Sequence, residues 1–589
     1  MAAFIFAHAL ACANLPAGAA QRLEAIAARA GQASTLQSAV MAVSWVDLGL
    51  WPSSGVRVEP GSVAAVAGDP VWCVDGLSIG RASSVDRVAA ALLTANFAAL
   101  KSCEGSFSAL AADLSGGTAV VAVDKLAVRP VYWAVHDGVV YAASALWMLE
   151  RLADLPKECD WRGITEIAAF GYPLSNRTSY LGIEALAPGS ALVCSEGRVR
   201  TVNYWDWRQP PASDSASDMG FDRTTAADPV ERIESAFHRA VDDRLGDAEE
   251  GLAFLSGGMD SRYIASRLRQ RGVQLNTLNF APEGSADLAF GRLAAAAMGA
   301  RHFEFGAGDA PFAERKSDAI AAWRQQRASE GAAPAQDLRV LWSGDGGSVV
   351  LGHVYLDDQI VNTARSQGLD AAAGLIQRHN KYQVSPRMFT GKYRQLAAVP
   401  LQGIRDELQR CAALEPGRAC HLFFVLNDQR RHLVEHFEHV HELGFDQHLP
   451  FFDGRLMQAV FDCPVELLVG HRLYNRLFER LPFGLGQVPW QAYPGHEPCP
   501  VKHDEALRRQ WSDGWFDAAT ERQKRADKAG AMRSQLRSPA FPAQVLSRLD
   551  LAVALQLTRW GVRDYSYLAT GAQPFVHASR VSGRWFETR

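Results

Sequence analysis

The stretch that most limits what this chain can fold into is Leu252 to Ser261. Four apolar residues, Leu252-Ala253-Phe254-Leu255, run directly into Ser256-Gly257-Gly258-Met259-Asp260-Ser261. A buried strand that turns over two glycines into a helix lets backbone N–H groups and the positive helix end converge on one point. Ser256 and Ser261 add hydroxyl donors, and Asp260 supplies a carboxylate where a Mg²⁺ bridging phosphates needs one. A lone Gly-Gly turn reads as an ordinary connection. The full Ser-Gly-Gly-x-Asp-Ser pattern after a buried strand reads as a phosphate cradle.

The flanking pattern says which kind of sheet carries it. Asp228-Pro229-Val230-Glu231 is a helix start, and Val230, Ile233, Phe237, Ala240, Val241 and Leu245 then share one face at helical spacing. A helix from about 261 to 271, a strand from Leu275 to Phe280 and a helix from Asp287 to Met298 follow. This alternation predicts a parallel sheet with crossover helices, and the pattern is largely helical from about 360 onward. Residues 1–207 instead carry short apolar runs broken by Gly, Pro and Ser, such as Thr118 to Asp124 and Val139 to Ala143, which predict mostly strands. A polar Pro/Ser/Asp tract over 208–228 separates the two as a linker, leaving a second domain over 229–589.

Composition narrows the function classes. With 48% hydrophobic and 21% charged residues the chain reads as globular, and a net charge of −4 gives no general grip on nucleic acid or anionic lipid. No apolar run reaches the ~18 residues that a membrane span needs. Nine cysteines without a Cys-x-x-Cys pair fit reduced thiols better than disulfides or structural zinc, so a cytoplasmic location is expected. The apolar N-terminus lacks a basic flank, and His8 interrupts it; it is expected to be the first strand, not a secretion signal.

Ser256 to Ser261 resembles the pyrophosphate loop of the N-type ATP pyrophosphatases, and most of the chain resembles the asparagine synthetase family. Val123 to Trp133, including Arg129-Pro130-Val131-Tyr132, is similar to a stretch of that family's glutaminase domain, as are Phe170-Gly171-Tyr172, Gly182-Ile183, Leu186-Ala187-Pro188-Gly189 and Tyr204-Trp205. Leu275 to Leu288, with Gly284-Ser285-Ala286-Asp287, resembles the adenine side of the synthetase site, and Leu449-Pro450-Phe451-Phe452-Asp453 resembles its Val-Pro-Phe-Leu-Asp segment. The resemblance implies two domains of α+β and α/β class. The first is an Ntn-hydrolase-like αββα sandwich; the second is an adenine-nucleotide α-hydrolase-like parallel sheet with a helical extension. It implies ATP and Mg²⁺, with ATP on Leu255, Ser256, Gly257, Gly258, Asp260, Ser261, Phe280, Ser343 and Gly344.

Two departures refine the resemblance. Family glutaminases use a cysteine at the position that here carries Ala2, so glutamine hydrolysis is expected to be absent. The family's Ser-Gly-Glu-Gly-x-Asp-Glu loop appears as Ser343-Gly344-Asp345-Gly346-Gly347-Ser348-Val349. Asp345 is expected to replace the acid of acyl-adenylate formation and to share the metal with Asp260, while Ser348 stands where a second metal carboxylate would be. For the family's catalytic lysine, Lys502 is the nearest candidate. Together with Leu351-Gly352-His353 and the Trp490 to Pro500 segment, these departures most resemble the lasso peptide cyclases. That implies a ligase that adenylates an Asp or Glu side chain of a leader-cleaved precursor peptide and closes a macrolactam with the peptide's N-terminal amine. The partners implied are a leader-peptide-binding protein and a cysteine protease of the same pathway, with no nucleic acid or membrane. The alternatives are an asparagine-synthetase-like or β-lactam-synthetase-like small-molecule amide synthetase, or a silent nucleotide-binding regulator. His432 and His436, one helical turn apart, read as a helix facing a substrate cleft, a solvated face or a metal pair. Arg522 to Arg533 reads as a solvated helix face or a leader-peptide or partner contact.

Overall fold

The computed structural model describes residues 2–74, 76–209, 228–306, 312–331, 338–351, 354–379, 384–509, 518–560, 562–565 and 567–582. The expected linker falls outside this set save for 208, 209 and 228.

The first domain is built around the strand Ala2–Ala9, whose eight residues are all buried. Side chains alternate across a strand. Ala2, Phe4 and Phe6 therefore meet Val63, Leu110 and Val121 of a facing sheet, while Ala3, Ile5 and Ala7 pack outward on Leu23 and Ile26 of the helix Ala19–Ala27. The first sheet runs Ile183–Ala185, Tyr132–His136, Val139–Ala143, Ala2–Ala9, Met41–Asp47, Ala33–Gln37, and the second runs Arg198–Asn203, Ser190–Ser195, Thr118–Val123, Ser106–Asp113, Ser62–Asp69, Val56–Glu59. On the outer face of the second sheet, Val66, Phe107 and Ala109 pack on Val85, Val88 and Leu92 of the helix Gly80–Leu93. The expected αββα sandwich is the observed one. His8 does not break the strand: its Nε2 shares a 3.0 Å hydrogen bond with the Gly117 carbonyl.

The second domain opens on the helix Pro229–Leu245, where the Asp228 carboxylate accepts from the Val230 N–H at 3.2 Å and the six apolar residues of the expected face are buried. Its sheet has five parallel strands in the order Arg301–Glu304, Gln274–Asn279, Glu250–Phe254, Val340–Trp342, Asp446–His448. The chain starts in the middle, steps outward twice, then returns to the other side of its first strand. The order therefore reverses between Glu250–Phe254 and Val340–Trp342, and in open α/β sheets ligands bind in the crevice beyond the strand ends at such a reversal. Both glycine-rich loops, after Phe254 and after Trp342, leave the sheet there. The remainder is mostly helical, and the last helices, Ala518–Arg537, Arg548–Arg559 and Tyr567–Ser582, join a core shared with Ile164 and Ala168 of the first domain.

Buried ion pairs tie the domains together. Arg129 donates to Asp446 at 2.7 Å, Trp51 Nε1 donates to the other Asp446 oxygen at 2.6 Å, and His448 meets Asp69 at 2.8 Å. Burial alone would raise the Asp446 carboxyl, but the Arg129 guanidinium outweighs it and holds the group at about 2. Leu449 to Asp453 is buried throughout, with Asp453 capping the helix Gly454–Phe461 and pairing with Arg244 at 2.9 Å.

Candidate active site

The helix Met259–Gln270 starts on Gly258 with no side chain capping it, so its first-turn N–H groups open toward the crevice. The turn before it is held from within. Ser256 N–H donates to Ser261 Oγ at 3.0 Å, Gly258 N–H to Ser256 Oγ at 3.2 Å, and Gly257 N–H to Asp287 at 2.5 Å. Asp287, in the segment that resembles the family's adenine-side loop, also accepts from Gln491 Nε2 at 3.0 Å and so braces the Gly257 turn. Gly257 is needed for close approach: a Cβ there would lie 2.8 Å from the Ala286 carbonyl.

The second glycine loop lies directly on the start of this helix. A Cβ on Gly344 would sit 2.8 Å from Ser261 N, and one on Gly347 would sit 2.3 Å from the Asp260 carboxylate. The structure thus brings Ser256, Gly257, Gly258, Asp260, Ser261, Ser343, Gly344 and Asp345 into one crevice. It does not unite the two expected adenine contacts. Leu255 packs with Ala253 in one core and Phe280 with Phe254 in the other, because neighbouring strand residues face opposite sides of the sheet.

The two acids of the crevice differ. Burial raises the Asp260 carboxyl to about 7, the nearby Asp345 charge adds to the rise, and hydrogen bonds from Tyr474 and the Ser348 N–H oppose it. At Asp345 burial also works against ionisation. Lys316 Nζ at 3.1 Å, His432 Nε2 at 3.4 Å and Ser343 Oγ at 2.5 Å nonetheless hold its carboxyl well below the usual range. Lys316 is buried, on the helix Phe312–Ser329. Lys502, the expected site lysine, is exposed, and the ammonium beside Asp345 is that of Lys316, on a helix that carries no motif.

Of the three readings of the 431–441 segment, His432 fits the cleft-facing one, since it reaches Asp345. His436 is buried against Phe445 and pulled down to about 3 by burial, so the two histidines serve different surroundings. The preceding stretch, Phe424–Gln429, is a π-helix, an irregularity common near functional sites. Its Asp428 accepts from Tyr172 of the first domain at 3.0 Å. Two further residues escaped the sequence reading. Arg262, fully buried, donates to the carbonyls of Val488 at 2.6 Å and Pro489 at 2.7 Å, and so fixes the Trp490 segment to the phosphate-loop helix. Tyr474 packs edge-on to Trp490 while donating to Asp260. Arg262 carried a faint signal, adjoining Ser261; Tyr474 carried none. Gly352 and His353 lie outside the described residues.

Comparison with known proteins agrees with this layout. Residues 81–205 match the glutamine amidotransferase domain family, and residues 232–480 match asparagine synthase. Asparagine synthetase [glutamine-hydrolyzing] 3 of Bacillus subtilis (strain 168) is 27% identical over 144 residues, a stretch that covers 24% of this chain and 22% of that protein. Among solved structures, the glutamine phosphoribosylpyrophosphate amidotransferase from B. subtilis complexed with ADP and GMP is 10% identical with a TM-score of 0.22, and an allosteric regulatory enzyme of purine biosynthesis is 9% identical with a TM-score of 0.24. Each match covers 52% of this chain and 81% of the other. At those scores neither carries an argument.

Proposed function

We propose that this chain, which joins the glutamine amidotransferase and asparagine synthase domains of the asparagine synthetase family, is an ATP-dependent amide ligase that closes a lasso-type macrolactam on a peptide. The observation that carries the reading is the meeting of two glycine loops around Asp260 at the reversal point of a parallel sheet. Such a crevice suits a nucleotide polyphosphate: uncapped helix N–H groups face it, serine hydroxyls line it, and Lys316 brings positive charge beside Asp345.

In this reading an Asp or Glu carboxylate oxygen of the peptide attacks the α-phosphorus of ATP, forming the acyl-phosphate bond as the bond to pyrophosphate breaks. The peptide's N-terminal amine then attacks the acyl carbon, AMP leaves, and the amine loses a proton. The first-turn N–H groups and serines hold the phosphates, and Arg262, by tying down Val488 and Pro489, keeps the crevice wall in place. Holding amine and acyl carbon in register is worth up to ~7–11 kcal/mol for well-oriented reactants. Asp260 and Asp345 are the hard oxygen donors that Mg²⁺ takes, and a buried carboxyl raised to about 7 is one that an added cation would complete. When bound, the ion offsets polyphosphate charge. The peptide amine as nucleophile is supported by Ala2, which offers no glutaminase thiol.

The test is mass spectrometry of the precursor peptide incubated with ATP, this protein and the leader protease, each omitted in turn. The core peptide is expected to lose one water, with one AMP formed per ring. Acetylating its N-terminus is expected to stop ring closure while adenylation continues. Turnover of a free amino acid with ATP and no cyclised peptide would replace this reading with a small-molecule amide synthetase.

A further inference from the structure

The C-terminal helical layer holds an open groove of roughly 600 Å³, well apart in the sequence from the residues of the glycine-loop crevice. Arg533 and Arg537 line it from the helix Ala518–Arg537, one turn apart on one face, and Arg580 faces them from Tyr567–Ser582. Its lining also includes Val576, Ser534 and Gln535. The helix Ala518–Arg537 carries six Lys or Arg against two Asp or Glu, in a chain whose net charge is −4. Several exposed arginines elsewhere are paired: Arg365 with Glu415 and Glu466, Arg472 with Asp358, Arg292 with Glu304. Among the described residues none of the three groove arginines has a carboxylate partner.

We infer that this groove is a docking site for an acidic peptide segment, its Asp or Glu side chains taken by Arg533, Arg537 and Arg580. Each guanidinium presents a planar fork that matches a carboxylate with two parallel hydrogen bonds. The two arginines on one helix are spaced by a turn, about 6 Å, close to the span of alternate side chains on an extended peptide. Val576 supplies an aliphatic floor for the stems between the charges. Among the described residues no aromatic ring lines the groove, and stacking on such rings is what holds single-stranded nucleic acids. The inference does not depend on which amide the nucleotide crevice makes.

The probe is a dye-labelled twelve-residue peptide of alternating Asp and Gly, titrated by fluorescence anisotropy against the full chain. The Asn–Gly peptide and a thymidine dodecamer serve as comparisons. The Asp–Gly peptide is expected to bind, to weaken with added salt, and to bind about tenfold or more weakly to the triple variant Arg533→Gln, Arg537→Gln, Arg580→Gln. The Asn–Gly peptide is expected not to bind. All three arginines are exposed, and unchanged thermal melting would exclude loss of fold. Restoring charge with Lys at the same positions is expected to recover part of the affinity. Failure of the Asp–Gly peptide to bind, or equal binding to wild type and the triple variant, overturns the proposal. Tighter, arginine-dependent binding of the thymidine dodecamer overturns it in favour of a nucleic-acid groove.

Discussion

Asp446 and Asp260 are carboxylates of the same domain, packed around the same parallel sheet, yet burial leaves them in opposite states. Asp446 is held at about 2 because Arg129 and Trp51, both from the first domain, complete it. Asp260 is raised to about 7 because burial, helped by the neighbouring Asp345 charge, outweighs the hydrogen bonds from the Tyr474 hydroxyl and the Ser348 N–H, with no cation among the described residues to offset it. Asp446 is thus an acid satisfied within the chain, and in the proposed reading Asp260 is one that a bound ligand completes. The first domain accordingly contributes anchoring groups to the second, Arg129 and Trp51 at Asp446 and Tyr172 at Asp428.

The largest effect is expected from breaking the completed acid. Arg129→Ala leaves Asp446 buried and unpaired, and is expected to cost ~3–5 kcal/mol in urea unfolding, whereas Arg129→Met combined with Asp446→Leu recovers most of the loss. A cost under ~1 kcal/mol for Arg129→Ala would mean that water reaches Asp446.

The two acids also carry opposite pH signs. The folded state depresses Asp446, so its stabilisation is full above about 4 and lost as pH falls toward about 2. It raises Asp260, so the native state holds an extra proton between about 4 and 7, and stability falls as pH rises through that window. In magnesium-free buffer Asp260→Asn is expected to stabilise the protein by ~2 kcal/mol at pH 8 and by little at pH 4. Equal thermal shifts at both pH values would contradict this assignment.

Smaller effects sharpen the crevice. Lys316→Met is expected to lower ATP–pyrophosphate exchange about tenfold or more, and Lys502→Met to leave it unchanged. The reverse ranking would return the site lysine to the 488–502 segment. Smallest of all is the response to glutamine: with Ala2 in the nucleophile's place, glutamate release is expected to stay at background with or without ATP.

Local patterns were readable in advance and distant pairings were not. The strand–turn–helix at Leu252 to Ser261, the Asp228 cap and the buried N-terminal strand each write their geometry into a few consecutive residues. Arg129 and Asp446 stand 317 positions apart, and Tyr474 and Asp260 stand 214 apart. No spacing rule links such residues; only the packing of the two domains and of the helical extension brings them together. Lys502 stands in the segment to which the resemblance points, whereas the lysine beside Asp345 arrives on the helix Phe312–Ser329. The resemblance places both Leu255 and Phe280 by the adenine, but it says nothing of the packing that puts their side chains in two different cores.

In the proposed reading Asp260 is kept incomplete for the nucleotide. ATP–pyrophosphate exchange with peptide carboxylate and Mg²⁺, measured side by side on wild type and Asp260→Asn, tests it most directly. The variant is expected to fold, to melt no lower than wild type in magnesium-free buffer at pH 8, and to lose about 10²–10³-fold of its exchange rate. Near-wild-type exchange from a folded Asp260→Asn protein would contradict it.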